Sequence, residues 1–351
     1  MKIMVYEGPK RIKIANEPSR AVGPEEVRVR TLYSGISHGT EMQVYRGQAP
    51  FFRRRKNPRT GLFEEGGEAA IWTYPIRSSE PGVWYMGYAC VGEVVETGAD
   101  ANALRRGDLV YVNAPHQSEV VCAASAAIKL PEAVNPERAV LLTNLLTAFN
   151  SVLDSRIKLG DTVVVSGLGV MGQLILRLVK RSGAGQTIGV DVIPARLEAA
   201  KAGGADHVFN AAGEGDVALE VRGLTDNRGA DLVLEASGSQ RALQQAIRIA
   251  GYDTTVTTVG WYPGQCEALN LSEEYHHNRV ALRSSHTGGT DPAIAGMWTQ
   301  ARKTQACLEL LGELPLEALI THRVPYGEIA DAYAQIDTRP DAVIQVVLTY
   351  D

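Results

Sequence analysis

The sequence predicts an α/β protein of two domains, a mostly β domain followed by a doubly wound domain built on a parallel sheet. Three observations predict it. The chain has 351 residues, and at ~100–200 residues per domain that length supplies about two cores. Its 35 glycines make up roughly a tenth of the chain, above the usual ~7%, as many tight turns require. The hydrophobic pattern also changes near Asp161, from short alternating runs to near-continuous Val/Ile/Leu runs separated by helical stretches.

The first part carries strand-like runs such as Glu26-Val-Arg-Val-Arg-Thr31, Val91-Gly-Glu-Val-Val-Glu96 and Asp108-Leu-Val-Tyr-Val112, separated by Gly, Pro and Asn. Between them lies Gln48–Pro81, with Phe51-Phe-Arg-Arg-Arg-Lys56, the acids Glu64, Glu65 and Glu68, and Trp72-Thr-Tyr-Pro75. It shows no assignable period and reads as an inserted long loop or small subdomain. The Arg53–Lys56 run reads as a solvated face, with a second reading in which it meets an anionic group on a substrate. Asn135 followed by Pro136 predicts a helix start, and Val140, Leu141, Leu145, Phe149 and Val152 continue it at helical spacing.

From Asp161 the buried strands are expected at Thr162–Val165, Thr187–Val190, His207–Phe209, Asp231–Leu234, Thr254–Val259 and Val280–Leu282. The remaining chain holds a helix near Trp298–Leu311 and a strand at Ala342–Leu348, too little for a domain of its own, so it is expected to complete the first one. The expected division is therefore 1–145 with 289–351, and 146–288.

With 35 Lys and Arg against 40 Asp and Glu, the net charge is −5. This argues against a nucleic-acid partner. No apolar stretch approaches the ~18 residues of a membrane span and the start has no signal-peptide core, so no membrane partner is expected and the compartment is read as cytoplasmic. Cys90, Cys122, Cys266 and Cys307 are widely spaced and suggest neither a disulfide framework nor a zinc knuckle.

Gly167-Leu-Gly169-Val-Met-Gly172 follows a predicted strand and opens the helical run Gln173–Lys180, the context in which G-x-G-x-x-G binds a dinucleotide. Gly167 makes the turn, Gly169 lets backbone approach a pyrophosphate, and Gly172 allows close packing of helix on strand. Asp191 ends the next strand, nineteen residues after Gly172, where a carboxylate holds the adenosine ribose and repels a 2′-phosphate. NAD is therefore the expected cofactor, although Arg196, five residues on, is placed to accommodate such a phosphate.

Together with Gly92-Glu-Val-Val-Glu-Thr-Gly98, Arg106-Gly-Asp-Leu-Val110, Gly229-Ala-Asp-Leu-Val-Leu-Glu-Ala-Ser-Gly238 and Leu319-Ile-Thr-His-Arg-Val-Pro325, this organisation resembles the medium-chain dehydrogenase/reductase superfamily over nearly the whole chain. The resemblance implies a GroES-like catalytic domain and a Rossmann domain. It leaves the Gln48–Pro81 insertion uncovered. Further cofactor contacts are implied at Val170, Met171, Ser237 and Gly260, and substrate contacts at Ser37, Asn144 and Trp261.

Zinc-containing members hold their catalytic metal through a Cys in G-x-C-x-S/T-D, a His in G-H-E, and a Cys or acid in the helix leading to the Rossmann domain. Here those segments read Gly35-Ile-Ser-His-Gly-Thr-Glu41, Gly87-Tyr-Ala89 and Leu142-Thr-Asn-Leu-Leu-Thr147. Ser37 or His38, with Tyr88 and Thr143, lacks the ligands zinc needs, so no metal is expected and the wording resembles the bacteriochlorophyllide-dehydrogenase-like and sugar- or cyclitol-dehydrogenase-like branches. Without a Lewis acid, proton-transfer groups carry more of the reaction. The resemblance makes Thr40 the start of a proton relay and Tyr88 an acid or base with a lowered pKa beside the nicotinamide, or a filler of the vacated ligand site. Glu41 is an acid behind the site, or the partner of a structural Arg. His38 is a pyrophosphate contact or a proton carrier.

The expected function is a zinc-independent, NAD-dependent dehydrogenase for a secondary alcohol of a polyhydroxylated or bulky metabolite, so a small-molecule substrate is the expected partner. The rivals are an NADPH-dependent enoyl or quinone reductase and a non-catalytic dinucleotide sensor. A homodimer is expected through the edge strand near 280–286, with His276, His277 and His286 as interface or surface residues.

Overall fold

The computed structural model describes residues 1–65 and 72–351; Glu68 of the acidic patch lies outside the described residues. The chain forms two compact units, Met1–Thr143 with Ile320–Asp351, and Asn144–Leu319. No helix of the described residues is long and apolar enough to cross a membrane.

In the first unit the strand Glu26–Gly35 is the organising element. It pairs antiparallel with Cys90–Thr97, Glu119–Ala123 and Gln345–Thr349. Its alternation explains why: Val27 and Val29 are fully buried, and pack with Val94, Val110, Val112 and Val120, while Arg28 and Arg30 face the other way. There they pair with Glu96 at 2.8 Å, Glu119 at 2.8 Å and Glu93 at 2.6 Å, cross-strand charge pairs that fix register at about 0.2–1 kcal/mol each. The final strand is Gln345–Thr349, later than Ala342–Leu348, because Pro340–Ala342 makes a 3-10 turn first.

The insertion is ordered where it is described. After a 3-10 turn at Pro50–Phe52, Arg54–Lys56 and Phe63–Glu65 form an antiparallel hairpin with Arg54 opposite Glu65, ion-paired at 2.8 Å. The Arg53–Lys56 run is thus partly a strand with a charge partner, which the absence of period in the sequence concealed. The Asn135 side chain does accept the Glu137 amide at 2.9 Å, but the turns that follow are 3-10 over Arg138–Leu141, and the α-helix is Leu142–Ser155.

In the second unit the strands are β1 (Thr162–Ser166), β2 (Gln186–Asp191), β3 (His207–Asn210), β4 (Ala230–Glu235), β5 (Ala250–Thr258) and β6 (Ala281–Ser284). They run parallel in the order β3-β2-β1-β4-β5-β6, a doubly wound sheet that places loops for a ligand at the strands' carboxyl ends. Val163, Val164 and Val165 are all fully buried, as strands covered on both faces must be. At the sheet edge, β6 replaces the expected Val280–Leu282.

Residues 289–319, expected in the first domain, group with this unit. A polar network explains the difference. Buried Lys303 donates to Asn150 Oδ1 at 3.0 Å and Thr290 Oγ1 at 2.8 Å, and Asn150 Nδ2 donates to Asp154 at 3.0 Å and to the Gly289 carbonyl at 2.8 Å. Asp154 also accepts from the Asp291 amide at 2.7 Å. Such a network is costly to leave half-made, so it ties the Gln300–Glu313 helix to Leu142–Ser155.

Candidate active site

Two glycines of the loop at the end of β1 can be nothing else. Gly167 has φ +85°, and a Cβ there would lie 2.5 Å from the Ser237 amide nitrogen; one on Gly172 would lie 1.8 Å from the Gly167 carbonyl oxygen. At Gly169 the same atom would meet only Arg196 Nη1, 4.0 Å away. That leaves open space over the start of the Val170–Arg181 helix, which begins at Gly169 without a side-chain cap and so presents amides to an anion. Val170 and Met171 form its first turn.

Asp191, at the end of β2, is 7% exposed and shapes the adjoining loops. Its carboxylate accepts the Leu168 amide at 2.6 Å and the Val192 and Ile193 amides at 2.7 and 2.9 Å. Arg196 Nη1 stands 3.9 Å from it. Buried Gln173 fastens the same corner, donating to the Leu168 carbonyl at 3.1 Å and the Arg196 carbonyl at 2.8 Å.

The carboxyl ends of β4 and β5 meet beside this loop. Glu235 is fully buried and accepts from the Ser237 amide at 2.9 Å, the Ser237 hydroxyl and the Tyr262 hydroxyl. Burial pushes its carboxyl upward against these hydrogen bonds. A Cβ on Gly260 would lie 2.4 Å from the Gly238 amide, and one on Gly238 2.9 Å from the Trp261 carbonyl, so Ser237, Gly260 and Trp261 share one tight corner. Asn144 is buried on the Leu142–Ser155 helix, where the chain enters this unit.

The other expected residues collect in the first unit. Ser37 and His38 lie on the turn into the short helix Thr40–Tyr45. Tyr88 donates to Ser37 Oγ at 2.6 Å, and Thr40 is a further hydrogen-bond partner of the phenol. Burial pushes the Tyr88 phenol up to about 12, with the Glu41 carboxylate adding to the rise and the hydrogen bonds to Ser37 and Thr40 opposing it. On this chain's own groups, without the nicotinamide charge that the expected lowering invokes, Tyr88 is a donor throughout the neutral range. Tyr111 donates to the Tyr88 carbonyl at 2.7 Å and shares a short hydrogen bond with Thr143. At the three segments compared with the family's zinc ligands, the Ser37 and Tyr88 hydroxyls are thus bonded to each other, and Tyr111 ties Thr143 to the backbone of Tyr88.

Behind them, Glu41 is fully buried and pairs with no Arg. Oε1 accepts the Ser37 amide at 2.7 Å; Oε2 accepts from His116 Nε2 at 2.9 Å and from the Tyr333 hydroxyl. His116 Nδ1 lies 2.7 Å from Ser34 Oγ, itself 2.8 Å from the Tyr350 hydroxyl.

The conserved vocabulary of known proteins agrees with this architecture. A family described as zinc-binding dehydrogenase matches residues 170–303. D-guloside 3-dehydrogenase of Escherichia coli (strain K12) is 32% identical over the full length of both chains. The chain belongs to the medium-chain dehydrogenase/reductase superfamily. It is accordingly an oxidoreductase, with the GroES-like and Rossmann domains of that superfamily. Sorbitol dehydrogenase of Bacillus subtilis (strain 168) is 24% identical, covering 95% of this chain and 92% of its own. The solved galactitol-1-phosphate dehydrogenase of Escherichia coli shares the fold, with a TM-score of 0.78 and 19% identity over 99% of this chain and 100% of its own.

The residues present do not fit the zinc of the family name. Catalytic zinc takes Cys, His or carboxylate ligands, whereas Ser37, Tyr88 and Thr143 offer neutral hydroxyls, and Glu41 is committed to three donors. Among the described residues no three His, Cys, Asp or Glu side chains converge on a metal position. The dinucleotide, by contrast, fits the open space at Gly169 and the carboxylate of Asp191. The sequence reading missed His116, Tyr333, Tyr111, Glu235 and Tyr262. Glu235 stood in the quoted Glu-Ala-Ser-Gly segment, and its strand-end position was the available signal. His116 lies far from any motif and had none.

Proposed function

We propose that this protein is a zinc-independent, NAD-dependent dehydrogenase that converts a secondary alcohol of a sugar or related polyol to the ketone, or the ketone back. The hydroxyls of Ser37, Tyr88 and Thr143 carry the reading, because they fill the family's metal-ligand segments with neutral donors suited to a carbonyl oxygen. Relatives named for a guloside, sorbitol and galactitol 1-phosphate support a polyhydroxylated substrate.

Gly167, Gly169 and Gly172, the amides of Val170 and Met171, Asp191, Arg196, Ser237 and Gly260 would hold the dinucleotide. That cofactor supplies the hydride acceptor. On the chain's side, Tyr88 gives its proton to Ser37 Oγ in a hydrogen bond, which leaves the Ser37 hydroxyl to donate to the substrate oxygen. In ketone reduction charge develops on that oxygen, and Ser37 gives it a proton and takes one from Tyr88; in alcohol oxidation the proton runs back along the same path, through Ser37 to the ionised Tyr88 phenol, with Thr40 bonded to that phenol. Glu41 holds the Ser37 amide and acts as a positioning residue. His38, half-buried on the same turn, borders this set.

Arg196 favours a second reading at the cofactor, since a guanidinium beside the carboxylate can meet a 2′-phosphate. Strand β6, at the sheet edge with Leu282 exposed, supports a homodimer formed by edge pairing, which light scattering tests. The function itself is tested by following NADH formation over a panel of hexoses, hexosides, cyclitols and alditols. Turnover of at least one class supports the reading, and reduction of enones or quinones with no alcohol oxidation overturns it.

A further inference from the structure

The insertion and the residues just after it build an aromatic assembly that the hydride chemistry does not use. Trp72 lies on Tyr85 with centroids 3.5 Å apart at 26°, and Phe51 lies on Trp72 at 4.6 Å and 34°. These three rings form a short stack. Trp84 meets all of them at steep angles, 89° to Phe51, 73° to Trp72 and 84° to Tyr85, at the similar distances of 6.4, 6.0 and 5.6 Å. The indole thus stands alongside the stack's rim, fixed by three contacts, yet is 46% exposed. Tyr85 beneath it is buried at 6%. Phe52, on Tyr74 at 5.0 Å and 24°, and the Tyr74 hydroxyl, which donates to the Val44 carbonyl at 2.9 Å, anchor the assembly to the unit's core.

A single exposed aromatic needs no explanation. One held by three other rings, with Tyr85 buried beneath it, and close in the chain to the hydroxyl site, does. Trp84 precedes Tyr88 by four residues, so their Cα atoms are at most about 14 Å apart. An exposed indole face is electron-rich and apolar, which complements the face of C–H groups that a pyranose ring presents, while the ring's hydroxyls remain in water.

We propose that Trp84, held by Phe51, Trp72 and Tyr85, is a stacking subsite for a pyranose ring of a glycoside substrate, the ring that is not being oxidised. The proposal rests on the reading of the protein as a sugar dehydrogenase. It makes Trp84, positioned by Phe51 and Trp72 of the insertion, the determinant that distinguishes substrates with a second sugar ring from single-ring hexosides.

The test compares Trp84→Ala and Trp84→Phe with the wild type on a methyl hexopyranoside and on disaccharides that contain the same hexose, together with binding of those disaccharides to the cofactor-free protein by saturation-transfer NMR. Trp84→Ala should raise KM for the disaccharide about tenfold more than KM for the methyl glycoside, the size of one stacking contact, and Trp84→Phe should recover part of it. Saturation transfer should reach the ring that is not oxidised and fade in Trp84→Ala. Equal KM changes for both substrates, or absence of disaccharide binding to the wild type, overturns the subsite. Disaccharide binding that depends on Trp84 without any sugar oxidation leaves the subsite standing and overturns the proposed function instead.

Discussion

Glu41 Oε2 lies 2.9 Å from His116 Nε2, with both side chains fully buried. With Nε2 donating to the carboxylate, a neutral imidazole has Nδ1 left to accept from Ser34, whose hydroxyl then accepts from Tyr350. All these donors point one way and end at Glu41, which in turn holds the Ser37 amide. Glu41→Gln keeps the shape but replaces one accepting oxygen by an amide, so a buried donor loses its partner. It should cost about 1–3 kcal/mol in denaturant unfolding and lower kcat less than a change at Tyr88 does. A loss of kcat larger than that of Tyr88→Phe, in a folded protein, would make Glu41 the proton carrier.

Tyr88→Phe keeps the ring and removes the donor to Ser37. Loss of a general acid/base contact should lower kcat by about 10²–10⁴ while dinucleotide affinity, read by NADH fluorescence, stays within about twofold. Near-full activity would leave Tyr88 as a space filler.

Asp191→Ser should weaken NAD binding by about 1.5–3 kcal/mol and narrow the gap to NADP. The three backbone amides it accepts add an effect the sequence did not suggest: the thermal midpoint should fall in the cofactor-free protein as well. If the wild type binds NADP more tightly than NAD, and Arg196→Ala reverses this, the guanidinium sets the preference.

Burial pushes the phenols of Tyr74, Tyr85 and Tyr88 up to about 12. An unfolded chain releases those protons near 10. Between the two values the unfolded state binds fewer protons, so folding stability falls as pH rises, and below about pH 10 these groups leave it unchanged. Tyrosinate absorbance should therefore appear together with loss of circular dichroism above about pH 10. Ionisation of these phenols well before unfolding would contradict their burial.

Elemental analysis after purification without chelators should find well under one zinc per chain, and turnover should survive chelators. A stoichiometric zinc whose removal abolishes turnover would mean that other groups assemble a site.

Much of this was legible because it is periodic or local. The Val/Ile runs at 162–166 and 230–235, the glycine loop and Asp191 each declare themselves within a few residues. So does the departure at Tyr88. The Glu41–His116 pair does not, because two buried polar residues 75 positions apart leave no spacing to recognise. The hairpin at Arg54–Glu65 was hidden for another reason: its strands are three residues each with every residue exposed, too short for alternation to register. The boundary at 289 was misplaced because the Lys303–Asn150–Asp154 network draws its members from separate elements.

The strand Gln345–Thr349, almost the last of the chain, lies beside Glu26–Gly35, almost the first. Asn144–Leu319 is one uninterrupted stretch and has all its strands before Gln345–Thr349 is made, so it can fold while synthesis of that strand is still to come. Glu26–Gly35 can pair with Cys90–Thr97 and Glu119–Ala123 earlier, but until Gln345–Thr349 is made its Tyr33–Gly35 end stays open on one side as a template for pairing with other chains. Loss of the last ten residues would accordingly leave the nucleotide-binding half foldable and expose the other half to aggregation during translation.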